Sequence, residues 1–188
     1  MEQTTNTASF DRIVAKSVIV GDNPGEARIE LRVVDKQPTI VLYDGNSAIR
    51  AVLVVARNGA YVSFNDNAGR KRVGVGYVEG QPRVELFDEE ARMRAGVVVF
   101  DGDPAITLCD AGSRPRASMN VVSGNSTVEV ADSNGRRRAL MTAREKGPAL
   151  ILLDAQGKPR ASLTAGEYPA LQILNDRGER IWTTLGQR

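Results

Sequence analysis

Seven aspartates, Asp22, Asp44, Asp66, Asp88, Asp110, Asp132 and Asp154, recur at one unbroken spacing of 22 residues. A file of carboxylates is the kind of array that can hold Ca²⁺, but Ca²⁺ takes roughly six to eight converging oxygens. Each repeat offers one certain carboxylate, and only Asp88-Glu89-Glu90 is denser. The neighbouring residues suggest another task. Asp at the first position of a type I turn hydrogen-bonds its own backbone, and a Gly three residues later accepts a positive φ. Asp22 with Gly25, Asp66 with Gly69, Asp132 with Gly135 and Asp154 with Gly157 have that form. The array therefore reads as turn chemistry, with no metal and no other cofactor expected.

The second chemical series is basic. Counting from each aspartate, positions +4 and +6 point the same way on a strand, and both are basic in five successive repeats. They are Arg70 and Arg72, Arg92 and Arg94, Arg114 and Arg116, Arg136 and Arg138, and Lys158 and Arg160. Such a stripe could hold the backbone of a nucleic acid or an acidic polysaccharide. The competing reading is a solvated face neutralised by the turn aspartates and by Glu85 and Glu129. No aromatics interleave with these cations, which weakens single-strand stacking.

Catalysis has little to work with. The chain has no His, which removes the usual general base and metal ligand. Cys109, the only cysteine, sits at an alternating strand position and reads as an inert thiol, with no intrachain disulfide possible. Gly74-Val75-Gly76 has part of a phosphate-loop composition without the strand–loop–helix context that would give it meaning. A glycosidase built on Asp88, Glu89 and Glu90 alone is a distant possibility, and no enzyme is expected.

The elements that carry these residues follow from the period. Apolar side chains fall at −4, −2, +7, +9 and +11 of each repeat, as in Pro148, Leu150, Leu152, Asp154, Gly157, Arg160, Ala161, Leu163, Ala165. A period of two implies strand, turn, strand, and no segment keeps a helical pattern for three turns. The second corner of each unit is also polar and Gly-bearing, as in Asp101-Gly102-Asp103-Pro104 and Ser123-Gly124-Asn125. The expected fold is an all-β repeat of about eight 22-residue units. The last is anchored at Asn175 and degenerate, with Ile181 in place of Arg and Trp182 as a capping side chain.

Two arrangements satisfy this pattern: an antiparallel hairpin array, open or closed like a propeller, and a β-solenoid of stacked coils. Stacked like charges on adjacent strands are destabilising, which favours the hairpin array, where equivalent residues recur on every second strand. If Asp pairs with +3, Arg94 faces Glu85, Arg138 faces Glu129, and the apolar positions share one face. Val41, Tyr43, Val52, Val54, Leu140, Ile151 and Leu153 fall on the other face, and this second apolar population suggests a partner surface, most simply another copy of the chain.

The chain of 188 residues reads as a flexible polar stretch over 1–9 and a single β-repeat domain over 10–188. Phe10 to Lys16 would start a strand or cap the array. Apolar content of 41% is ample for a core, and a net charge of +2 implies no polyanion partner by itself. The first residues carry no basic-then-apolar leader, and no run approaches a membrane span. A cytoplasmic protein, or one released without a signal peptide, is expected. The units Pro-x-hydrophobic-x-Leu-x-Asp-x-x-Gly-x-x-Arg-Ala, with the lead-in Phe10-Asp11-Arg12-Ile13-Val14-Ala15-Lys16, resemble those of uncharacterised bacterial β-repeat proteins over roughly residues 10 to 182. That resemblance is structural and implies no activity. The Asp-x-x-Gly corner also resembles that of the Tyr-Asp repeats of large secreted toxins, with Tyr43-Asp44 the literal match. The expected function is a non-enzymatic structural module that self-associates through sheet faces or edges; the alternative is a polyanion-binding module.

Overall fold

The computed structural model describes residues 8–23 and 25–185, so residues 1–7 and 186–188 lie outside it, with most of the expected flexible N-terminus. The described residues form sixteen β-strands and no helix. The first four are β1 (Ser17–Gly21), β2 (Ala27–Val34), β3 (Gln37–Tyr43) and β4 (Ile49–Ala56). Next come β5 (Gly59–Asn65), β6 (Lys71–Val78), β7 (Gln81–Phe87) and β8 (Met93–Phe100). They are followed by β9 (Asp103–Cys109), β10 (Pro115–Val122), β11 (Asn125–Ala131) and β12 (Arg137–Arg144). The last are β13 (Gly147–Leu153), β14 (Pro159–Thr164), β15 (Ala170–Leu174) and β16 (Arg180–Leu185). No described helix is long and apolar enough to cross a membrane.

All sixteen strands lie in one antiparallel sheet in chain order, and each touches only its neighbours in sequence. β1 and β16 do not meet, so the sheet is open: a hairpin array, with neither propeller closure nor solenoid coils. Equivalent residues recur on every second strand, about 9–10 Å apart.

The Asp corner is built as its chemistry requires. In six repeats, Asp44 to Asp154, the Asp N–H donates to the +4 carbonyl at 2.9–3.0 Å, and the +3 N–H donates to the Asp carbonyl at 2.9–3.1 Å. The residue at +3 has a positive φ throughout: 76° at Gly69, but also 60° at Ser47, 59° at Ala91 and 58° at Ser113. A left-handed residue with a side chain costs about 1–2 kcal/mol, and glycine returns part of that as backbone entropy. Ala91→Gly is therefore expected to stabilise the protein by about 0.5–1 kcal/mol, read as a higher urea midpoint. The opposite corners include two-residue turns with both φ values positive, as at Asp35-Lys36, Glu79-Gly80, Asp101-Gly102 and Ser123-Gly124. Such turns match the twist of the flanking strands.

One feature repeats in every unit: a β-bulge. In β8, Ala95 pairs with Leu86 and Met93 with Phe87, leaving Arg94 without an opposite residue. The same holds for Arg28, Arg50, Arg72, Arg116, Arg138 and Arg160, and for Ile181 in the last unit. The expected register is corrected accordingly. Asp bonds to +4 rather than +3, and the bulge adds one more residue, so the pairing moves by two. Parity is preserved, and the apolar positions do share one face. The ion pairs change: Glu85 faces Gly96, and Glu129 faces Leu140.

Candidate functional site

Three surfaces contain all the residues singled out by chemistry. The first is the edge formed by the Asp corners. Each carboxylate there is already engaged. At Asp88, Oδ1 accepts the N–H groups of Glu90 and Arg92, both at 3.0 Å, and Oδ2 accepts from the Arg92 guanidinium at 2.9 Å. The same Oδ1 pattern holds at Asp44, Asp66, Asp110, Asp132 and Asp154.

These bonds lower the carboxyl pKa values. At Asp44, Asp132 and Asp154 the largest cause is backbone donation, from Asn46, Arg136 and Lys158 respectively. At Asp66, Asp88 and Asp110 partial burial is the largest influence and pushes the carboxyl up. There the backbone donors and the Arg70, Arg92 and Arg114 guanidiniums outweigh it, and Asp88 falls to about 2. Among the described residues no three His, Cys, Asp or Glu side chains converge as metal ligands.

The basic series lies along this edge and is tied into it. The bulge places each +6 arginine between two corners. Nε of Arg72, Arg94, Arg116, Arg138 and Arg160 donates at 3.0–3.1 Å to the carbonyls of Phe87, Cys109, Ala131, Leu153 and Leu174 in the next unit. A second guanidinium nitrogen of each lies 3.4–3.6 Å from its own corner aspartate. At +4, Arg70, Arg92 and Arg114 pair with the corner aspartate at 2.9–3.1 Å, whereas Arg136 and Lys158 reach the carbonyls of Ala155 and Asp176. The stripe thus staples one hairpin to the next. Glu85 and Glu129 are served instead by Lys71 at 3.3 Å and Arg137 at 2.9 Å.

The second surface is the mixed face of the sheet. Tyr61 lies over Gly74 and Gly76, where any Cβ would collide with its ring. Its hydroxyl donates to Glu85 at 3.2 Å and accepts from Lys71 at 2.9 Å, and the Lys71 ammonium stands 4.0 Å from the Phe87 ring centre. Sequence reasoning missed this cluster. Its signal was the Gly74/Gly76 pair with one aromatic across the strand, legible only once the bulge had fixed the register. The apolar residues of this face, read from the sequence as a partner surface, are largely covered within the sheet. Val41 is 1% and Leu140 8% exposed, and Tyr43, Val52, Val54, Ile151 and Leu153 are half-buried. Cys109 is buried, and that burial pushes its thiol pKa up, away from the reactive form.

The third surface is the apolar face, which is the exposed one. Its rows run across the strands as Leu42 opposite Ala51, Ile40 opposite Leu53, Leu86 opposite Ala95 and Val84 opposite Val97. From β2 to β15 the paired positions of this face carry no charge, and their only polar groups are the hydroxyls of Tyr77 and Ser126. Yet Val97 is 45%, Leu108 51% and Met119 54% exposed. The chain's accessible surface is 13802 Å², against roughly 8,800 Å² for a compact monomer of this mass. Trp182 stands on this face opposite Ile173 and is itself 47% exposed. The lead-in forms no strand; Ile13 and Ala15 line a shallow groove with Leu31, Ile40 and Leu53, and Phe10, Ile13 and Val14 all stand exposed.

Compared with known proteins, the chain matches no family model and no curated protein.

Proposed function

We propose that this chain is a non-enzymatic assembly module, a structural element whose working state is a self-associated one. The observation that carries the reading is the exposed apolar face of a sheet that has no second layer among the described residues. At about 25 cal/mol per Å² of buried apolar surface, leaving that face in water forgoes a large part of the hydrophobic stabilisation open to the chain. Association is the simplest way to recover it, and a sheet face without charge is suited to nothing that depends on polar recognition.

The alternative, a polyanion held on the arginine stripe, would have to compete with the hydrogen bonds those guanidiniums already make to aspartates and carbonyls. The test is mass in solution. Light scattering across a dilution series is expected to give a multiple of the 20.3 kDa chain mass that persists to low concentration. A clean monomer at high concentration would remove the basis of the proposal.

A further inference from the structure

We infer that the apolar face is covered by the same face of a second copy of this chain, giving a two-layer sandwich of two sheets. The inference rests on the reading of the chain as a self-associating module and specifies how the copies meet. Shape comes first. Sixteen strands give the face a length of about 70 Å, and the apolar positions of each strand span about 17 Å. A partner must therefore present a long, narrow, uncharged strip, and a second copy presents one of the same dimensions.

The area is sufficient. Such a strip corresponds to about 1,200 Å² on each copy and about 2,400 Å² in total, within the range of permanent homodimers. The relief also matches itself. Near the Asp corners, Leu86 beside Ala95 and Leu108 beside Ala117 alternate large and small along the sheet, giving ridges and grooves at the spacing of two strands. Only a surface with the same repeat offers ridges at that interval along the whole length. Packing two sheets about 10 Å apart on interdigitating apolar faces is the ordinary geometry of a β-sandwich.

The end strands are less suited to growth. Six of the seven bulge arginines bond to a backbone carbonyl of the next unit, and the last unit has Ile181 at that position. A following copy placed edge to edge against β16 would lack that staple.

The test combines mass with position. Val97, near the middle of the sheet, is changed to lysine, which would bury one ammonium from each copy in an apolar layer. The dissociation constant is expected to rise at least about a thousandfold, while far-ultraviolet circular dichroism still reports strand. In parallel, Val97→Cys in a Cys109→Ser background is treated with a short bis-maleimide, with Ser118→Cys on the mixed face as control. Cross-linking at Val97→Cys and not at Ser118→Cys supports the sandwich even if Val97→Lys fails to fold. An oligomer that cross-links at Ser118→Cys and not at Val97→Cys overturns the sandwich and leaves self-association standing. A monomer at all concentrations overturns both.

Discussion

Replacing Gly74 with alanine is expected to lower stability by about 2 kcal/mol, and to cost far less when Tyr61 is already alanine. A Cβ at Gly74 would meet the hydroxyl end of the Tyr61 ring, and the ring has little freedom to move. Its hydroxyl is held between Glu85 and Lys71, and its body crosses Gly76, where a methyl group would also meet the Ala60 carbonyl. Overpacking a fixed site costs about 1–3 kcal/mol. Tyr61→Ala alone is destabilising too, since it uncovers two glycines and strands the Lys71–Glu85 pair. The double variant should then show a favourable coupling of about 1–2 kcal/mol, measured by urea unfolding. Losses that simply add would mean that the ring does not rest on Gly74.

The second large effect is expected in acid. The corner carboxyls of Asp44, Asp66, Asp88, Asp110, Asp132 and Asp154 all have pKa values lowered by folding, Asp88 to about 2. A carboxyl of this kind contributes stability that is fully present above its unfolded pKa, near 4. That stability is lost as pH falls through the folded value. The urea midpoint should be flat above about pH 5, fall from about pH 4, and continue to fall towards pH 2, where Asp88 is the last to protonate. The fall should be steep because unfolding takes up several protons at once. Asp88→Asn should reduce the steepness by about one proton, since its amide oxygen still accepts backbone N–H bonds but does not titrate. A midpoint independent of pH between 5 and 2 would contradict this account of the corners.

Much of the architecture was legible in the chain because the repeat states it eight times. Period two gave strands, Asp-x-x-Gly gave one corner, and the like-charge argument separated hairpins from coils. The bulge was not legible, because an inserted residue that preserves parity leaves the apolar pattern intact. Only the charged partners betray it: Arg94 was expected opposite Glu85 and is instead lifted out of the ladder towards Asp88 and Cys109. The same hidden residue explains the stripe. Spacing alone showed Arg114 and Arg116 on one side, but not that Arg116 spends its Nε on the carbonyl of Ala131. Which face stands more exposed was not legible either, for a different reason. Sequence pattern says which side chains share a face, whereas which face lacks a cover depends on whether the chain returns over it, and among the described residues only the lead-in at Ile13 and Ala15 approaches it.

Because every strand meets only the strands before and after it, nothing in the geometry fixes how many units there must be. A barrel must close and a sandwich must match its two halves, but a hairpin could be inserted or removed here at any corner. The flanking bulges, turns and staples would keep their partners. Length is then a variable adjustable in steps of 22 codons, and the reach of the sheet is set by the number of copies of one short unit.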